Sequence, residues 1–275
     1  MSDRPAVAPT TLLDVVGARL DGHPLLLLLD VDGTLAPIAP RPDQAAVPGE
    51  TVDVLRRLIA CPDVIVALIS GRSAEDAHAV VHVDGTWIIG NHGLELRTPD
   101  GELLPSPMAR PYESSVADAV RALAPLEHDI PGSLVENKRW SLSVHFRLVD
   151  SGDIPAVQER VRDVARATGL QVTGGKKIFE LRPPVRVDKG TAAVDIAKRF
   201  GALSRRASIF LAGDDRTDED AFQALRAIDD RAVTVRVAPQ DDDAEETTHA
   251  EYVLASPNEL RLVLESLAAR RTRMS

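Results

Sequence analysis

Two kinds of hydrophobic pattern alternate along the chain. Leu25 to Leu29 is five leucines in a row, too short to cross a membrane and too uniformly apolar for a half-exposed strand. It predicts a strand buried on both faces. Val64 to Ser70, Thr86 to Ile89, Ser208 to Ala212, Val233 to Val237 and Tyr252 to Leu254 read as further core strands. Between them, apolar residues recur at helical spacing in Thr11 to Leu20, Thr51 to Ala60, the stretch capped by Ser73 with Asp76 three residues on, Thr191 to Phe200 and Pro257 to Ala269. Strands alternating with helices predict a doubly wound parallel sheet.

The middle of the chain follows another pattern. Leu94 to Leu104 alternates and turns at Asp100-Gly101, the signature of a hairpin. A helix over Tyr112 to Glu127 precedes alternating runs at Ser133 to Asn137 and Trp140 to Arg147. A helix over Ile154 to Ala167 precedes strand-like runs at Leu170 to Thr173 and Ile178 to Leu181. This repeated helix-strand-strand unit predicts an inserted α+β domain, an antiparallel sheet with helices on one face. With Ser106-Pro107 as entry and Pro183-Pro184 as exit, the core comprises 1–107 and 184–275 and the insert 108–183. Residues 1–9, rich in Pro and Ala, are expected to be disordered. The loop from Ala36 to Gly49 is long enough to be functional.

Composition narrows the setting. A net charge of -10 argues against nucleic-acid or anionic-membrane partners. The lone Cys61 forms no internal disulfide, the N-terminus lacks signal-peptide character and no apolar run nears the roughly 20 residues of a spanning helix, so a cytoplasmic location is expected. The acidic run Asp241 to Glu246 and the basic end Arg270 to Arg273 read as solvated surface.

The chemistry concentrates where the first core strand ends. Asp30 and Asp32, followed by Gly33 and Thr34, project into the crevice beyond the sheet, where open α/β folds bind ligands. Two carboxylates this close require a cation or a shared proton, which predicts a metal. A calcium loop would need an oxygen ligand and then glycine where Thr34 and Leu35 stand. Ser70, Lys189 and the acids Asp214, Asp215 and Asp218 share that end of the sheet. Ser70 also reads as a turn or cap, and the acidic run as a charge-favoured helix start. Lys189 precedes a helix, where the dipole disfavours a cation, so it calls for an anion.

In this order on alternating strands and helices, these residues resemble the haloacid-dehalogenase (HAD) superfamily of aspartate-based phosphatases. The resemblance implies a HAD-like Rossmannoid core with an inserted cap, Asp30 as nucleophile, Asp32 as acid then base, and Ser70 and Lys189 holding the phosphate. It implies magnesium on Asp30, the backbone carbonyl of Asp32 and Asp214, with Asp215 and Asp218 nearby. Gly90 to Glu95 (GNHGLE), Glu136-Asn137-Lys138 with His145-Phe146-Arg147, Gly175-Lys176 with Glu180 to Pro183, and Gly213 to Phe222 (GDDRTDEDAF) are similar to the trehalose-6-phosphate phosphatase family. That family implies hydrolysis of trehalose 6-phosphate in trehalose biosynthesis. Substrate contacts are expected at Gly71, Arg72, Asn91, His92, Gly93, Glu136, Lys138, His145, Lys176 and Glu180. Taken alone, His92 reads as a loop histidine and the four cap residues Glu136, Lys138, Lys176 and Glu180 as a solvated sheet face. Glu136 and Lys138, two apart on a strand, share a face, and His145 and Arg147 do likewise on the next. A phosphatase for sucrose or mannosylglycerate phosphate, a phosphomutase and a silent sugar-phosphate sensor are the rival readings.

Overall fold

A computed structural model describes residues 6–39, 41–175, 177–238 and 247–274. The chain forms two compact units, one from the residues before Pro105 together with those from Val187 on, the other from Pro105–Arg186.

The first unit opens with helix α1 (Pro9–Val16), strand β1 (Leu25–Leu29), helix α2 (Gly49–Ile59), β2 (Val64–Ile69), α3 (Ala74–Val81) and β3 (Trp87–Gly90), followed by β4 (Glu95–Arg97) and β5 (Leu103–Pro105). In the second unit lie α4 (Glu113–Leu123), α5 (Leu126–Asp129), β6 (Leu134–Asn137), β7 (Leu142–His145), α6 (Ile154–Thr168), β8 (Gln171–Gly175) and β9 (Ile178–Arg182). The first unit then resumes with α7 (Lys189–Arg199), β10 (Ser208–Gly213), α8 (Arg216–Ile228), β11 (Val233–Val237), β12 (Tyr252–Leu254) and α9 (Pro257–Met274).

The eight-stranded sheet has the order β12-β11-β10-β1-β2-β3-β4-β5, parallel from β12 through β3 and antiparallel where β4 joins β3. β1 lies at its centre, and all five of its leucines are fully buried. Successive side chains of a strand point to opposite faces, so Leu25, Leu27 and Leu29 pack with α1, α2, α3 and α9, and Leu26 and Leu28 with α7 and α8. Helices on both faces explain why the run does not alternate. Each buried leucine contributes roughly 1.5–3 kcal/mol.

The second unit carries the order β6-β7-β9-β8, antiparallel throughout. Leu142, Val144 and Leu181 on one face pack with Val116, Leu123, Val157 and Val161 of α4 and α6. The other face is polar. In register across it stand Glu136, Ser143 and Glu180.

Four expectations need correction. The helix over Tyr112 to Glu127 is broken between α4 and α5, where Pro125 removes an amide donor. Residues 6–9 are ordered, because the Val7 amide donates to the Val253 carbonyl (2.9 Å) and Pro9 begins α1; residues 1–5 lie outside the described residues. The basic end is not simply solvated surface. α9 runs on to Met274, Arg270 pairs with Asp21, and the buried Arg271 donates to the carbonyls of Leu20 and Gly22, the latter at 2.7 Å. Arg147 lies exposed in the turn after β7, so it does not share the polar face with His145. The acidic run Asp241 to Glu246 lies outside the described residues.

Candidate active site

The carboxyl ends of β1 and β10 are neighbours in the sheet, and each turns directly into an acid. The Asp30 amide donates to the Ala212 carbonyl (3.0 Å), which fixes where the chain leaves β1. Val31 to Ala36 then close a tight turn, with the Leu35 amide on the Val31 carbonyl and the Gly33 amide on the Ala36 carbonyl. Gly33 has φ +86°, and a Cβ there would stand 2.2 Å from Oδ2 of Asp214. Only glycine allows both that backbone and the approach of Asp214. Thr34 Oγ1, fully buried, donates to Asp214 Oδ1 at 3.3 Å.

Lys189 is the first residue of α7, behind an Asp188 N-cap that accepts from the Thr191 amide. Its ammonium is buried and donates to Asp30 (2.7 Å) and Asp218 (2.9 Å), with Asp215 at 3.7 Å. A cation at the unfavourable end of a helix thus sits among three acids, the anions its position calls for. Its pKa is raised well above the ordinary lysine value, the acids outweighing the opposing effect of burial. Asp215 is the N-cap of α8, accepting from the Thr217 and Asp218 amides. Burial opposes its ionisation, but Lys189 and these hydrogen bonds hold it well below the usual carboxylate range.

Oxygens of Asp30, Asp214 and Asp218 lie within 4.8 Å of one another. Burial and the neighbouring acids push Asp30 and Asp214 up to about 8. An all-oxygen donor set whose ionisation is opposed by burial and like charge fits a hard divalent cation, which supplies the positive charge the acids lack. Asp218 differs from the other two. One of its oxygens accepts from Lys189 and the other from the amides of Asp214 and Asp215, so it organises the loop that presents Asp214. The carboxylate of Asp32 is held by Arg72 and is not one of the three clustered acids, leaving its backbone carbonyl as the donor expected of that residue.

Ser70, at the end of β2, is buried, and its hydroxyl accepts from the Arg72 amide (3.1 Å). Asn91 and His92 both adopt left-handed backbone, φ 51° and 54°, which costs non-glycine residues of order 1–3 kcal/mol each. The Asn91 amide donates to the Arg72 carbonyl (2.7 Å) and the His92 amide to the Ser70 carbonyl (2.9 Å). The Asn91 side chain is buried on Glu95, which also accepts from the Ala74 amide. The His92 ring lies against Gly71, where a Cβ would meet it at 2.6 Å. The Gly90 to Glu95 motif is thus wired to the Ser70-Gly71-Arg72 loop. Glu95 and Thr34 went unassigned in the sequence although both lie inside motifs it displays.

In the second unit, Glu136 and His145 pair at 2.7 Å, and Lys138, nearly buried, lies 3.7 Å from Glu180. The β6-β7-β9 register brings these four together on one polar face. Lys176 lies outside the described residues.

The fold and this acid-lysine centre define a HAD-like α/β protein with an aspartate-centred site. A family model described as trehalose-phosphatase matches residues 28–258. Trehalose-phosphate phosphatase B of Arabidopsis thaliana is 33% identical over 268 residues, covering 93% of this chain and 69% of that protein. Trehalose-phosphate phosphatase of Mycobacterium avium is 36% identical, covering 90% of this chain and 62% of that protein. An uncharacterized glycosyl hydrolase of Mycobacterium tuberculosis, Rv2006, is 41% identical over 212 residues, but the chain spans only 16% of its length. A solved trehalose-6-phosphate phosphatase related protein superposes with TM-score 0.78 at 26% identity, covering 91% of this chain and all of that one. The chain belongs to the trehalose-phosphatase family. Among the described residues no helix is long and apolar enough to cross a membrane.

Proposed function

We propose that this chain hydrolyses trehalose 6-phosphate to trehalose and inorganic phosphate in trehalose biosynthesis. The observation that carries the reading is the convergence of Asp30, Lys189 and Asp214, in a member of this family, at the carboxyl ends of the central strands, where such folds bind ligands. An Asp30 oxygen attacks phosphorus and the bond from phosphorus to the sugar 6-oxygen breaks. Asp32 gives that oxygen its proton, releasing trehalose. Asp32 then takes a proton from water as the water attacks the aspartyl-phosphate, which releases phosphate and restores Asp30. Lys189 and Ser70 hold the phosphoryl oxygens. Asp30, Asp214 and the Asp32 carbonyl would hold magnesium, which when bound would supply positive charge beside the transferring group.

Glu136, His145, Lys138 and Glu180, with Lys176, Asn91 and His92, supply the donors and acceptors a disaccharide needs, since charge-assisted hydrogen bonds give hydroxyl recognition its direction. Asp30, Asp32, Lys189 and Asp214 are all present, which favours turnover over a silent sensor. The free thiol of Cys61 suits a reducing compartment such as the cytoplasm. The test is phosphate release over a panel of sugar phosphates with magnesium and with EDTA. Trehalose 6-phosphate should be preferred and EDTA should stop it. Preference for sucrose or mannosylglycerate phosphate, or indifference to EDTA, would refute the reading.

A further inference from the structure

Arg72 is grouped with the substrate contacts by its motif, but its geometry points elsewhere. Its Nε and Nη2 donate to the two oxygens of Asp32 at 2.6 and 2.7 Å, a two-pronged pair in which the arginine side chain is 12% exposed and the aspartate 37%. A third nitrogen, Nη1, donates to the Pro42 carbonyl at 3.1 Å, in the long loop after β1. The backbone of Arg72 is fixed as well, its amide on Ser70 Oγ and its carbonyl under the Asn91 amide. The guanidinium is therefore aimed from a rigid base. A planar fork gripping both oxygens fixes the plane of a carboxylate as well as its distance, which a point charge does not do.

We propose that Arg72 is a positioning residue that acts through Asp32, holding the acid-base carboxylate in the orientation from which it reaches the leaving oxygen and then the water. The inference rests on the reading of Asp32 as that acid and base. General acid-base catalysis depends on the donor lying within hydrogen-bond reach of the reacting oxygen, and a freely rotating, part-exposed Asp32 side chain spends little time there. Among the described residues Arg72 is the donor to the Asp32 carboxylate, so the fork is its principal restraint. The link to Pro42 carries the same restraint into the loop, making its conformation part of the acid's geometry.

The experiment compares wild type, Arg72→Gln, Arg72→Lys, Asp32→Asn and the Arg72→Gln/Asp32→Asn double variant on two substrates. Trehalose 6-phosphate has a leaving group that needs a proton; p-nitrophenyl phosphate has one that departs as an anion. A role through Asp32 predicts that Arg72→Gln lowers kcat/KM on trehalose 6-phosphate at least about tenfold and on p-nitrophenyl phosphate much less. It predicts an unchanged inhibition constant for orthovanadate and no restoration by Arg72→Lys, which keeps the charge but not the fork. In the Asp32→Asn background, Arg72→Gln should change kcat/KM by less than about twofold, because the two act as one unit. Equal losses on both substrates, weakened orthovanadate inhibition, or additive losses in the double variant would overturn it and make Arg72 a phosphate or sugar contact. A wild-type chain that cleaves p-nitrophenyl phosphate but no sugar phosphate would instead sink the functional reading, and this assignment with it. Thermal melts of each variant confirm folding, and Arg72→Lys keeps the test alive if Arg72→Gln does not fold.

Discussion

Lys189 Nζ lies 2.7 Å from Asp30 across a sequence separation of 159 residues, with both side chains withdrawn from solvent. The same ammonium meets Asp218, so one cation holds together the turn after β1 and the first turn of α8. Replacing it by methionine preserves length and removes the charge. Breaking a buried ion pair from one side costs about 3–5 kcal/mol, part of which the acids recover by taking up protons. Lys189→Met should lose about 3 kcal/mol in urea unfolding with EDTA present, and phosphatase turnover with it. Unchanged stability would show that the ammonium is not what reconciles these acids.

Gly33 leads to a second expectation. Alanine there meets both the φ of +86° and Asp214 Oδ2 at 2.2 Å, so the acid must move. Backbone strain alone should cost about 1 kcal/mol. The sharper effect falls on metal binding. Magnesium at a hundred times its dissociation constant should stabilise the wild type by about 2.7 kcal/mol, read as a rise in Tm. Gly33→Ala should largely lose that rise, and a full rise in the variant would contradict the assignment of Asp214 as a ligand.

Away from the site, Glu251 receives Arg19 at 2.7 Å and Arg226 at 2.8 Å. Burial works to raise its pKa, and the two arginines more than offset this, so it is lowered from the ordinary 4.5. A carboxylate with a depressed folded pKa adds stability above its unfolded value, and that stability fades as pH falls through the folded one. Wild type should therefore exceed Glu251→Gln by about 2 kcal/mol at pH 7, with the gap closing below about pH 4.5. A gap independent of pH in acid unfolding curves would mean that packing, not charge, is lost.

On the polar sheet face, Glu136→Gln and His145→Ala each disrupt the 2.7 Å pair. Loss of a charged hydrogen bond costs roughly 1.5–3 kcal/mol. KM for trehalose 6-phosphate should rise about tenfold or more, while turnover of p-nitrophenyl phosphate, which carries no sugar, stays unchanged. Equal damage to both substrates would remove these residues from sugar recognition.

Much of this architecture was legible in the sequence because its determinants are local. The leucine run, the helical periodicities and the acids closing β1 and β10 each declare themselves within a few residues, and a lysine at the wrong end of a helix calls for the acids that Lys189 meets. What stayed hidden was orientation. Nothing in the spacing of Asp30 and Asp32 tells that one meets Lys189 and the other Arg72, because that depends on a turn closed by Gly33 and Ala36. The burial of Arg271 was missed for a related reason: a terminal basic run looks solvated until the carbonyls of Leu20 and Gly22 converge on it. Pro125 was visible, but the helical period on either side concealed the break.

The placing of β1 has a consequence for how the molecule is made. Its backbone pairs on one side with β2, but on the other with β10, Leu25 standing opposite Ser208. A nascent chain leaving the ribosome therefore carries an apolar ribbon with one unpaired edge until most of the polypeptide has been synthesised. Such long-range closure is slow, and an open edge of this kind recruits other chains. Chaperone capture in that interval should raise the yield of native protein.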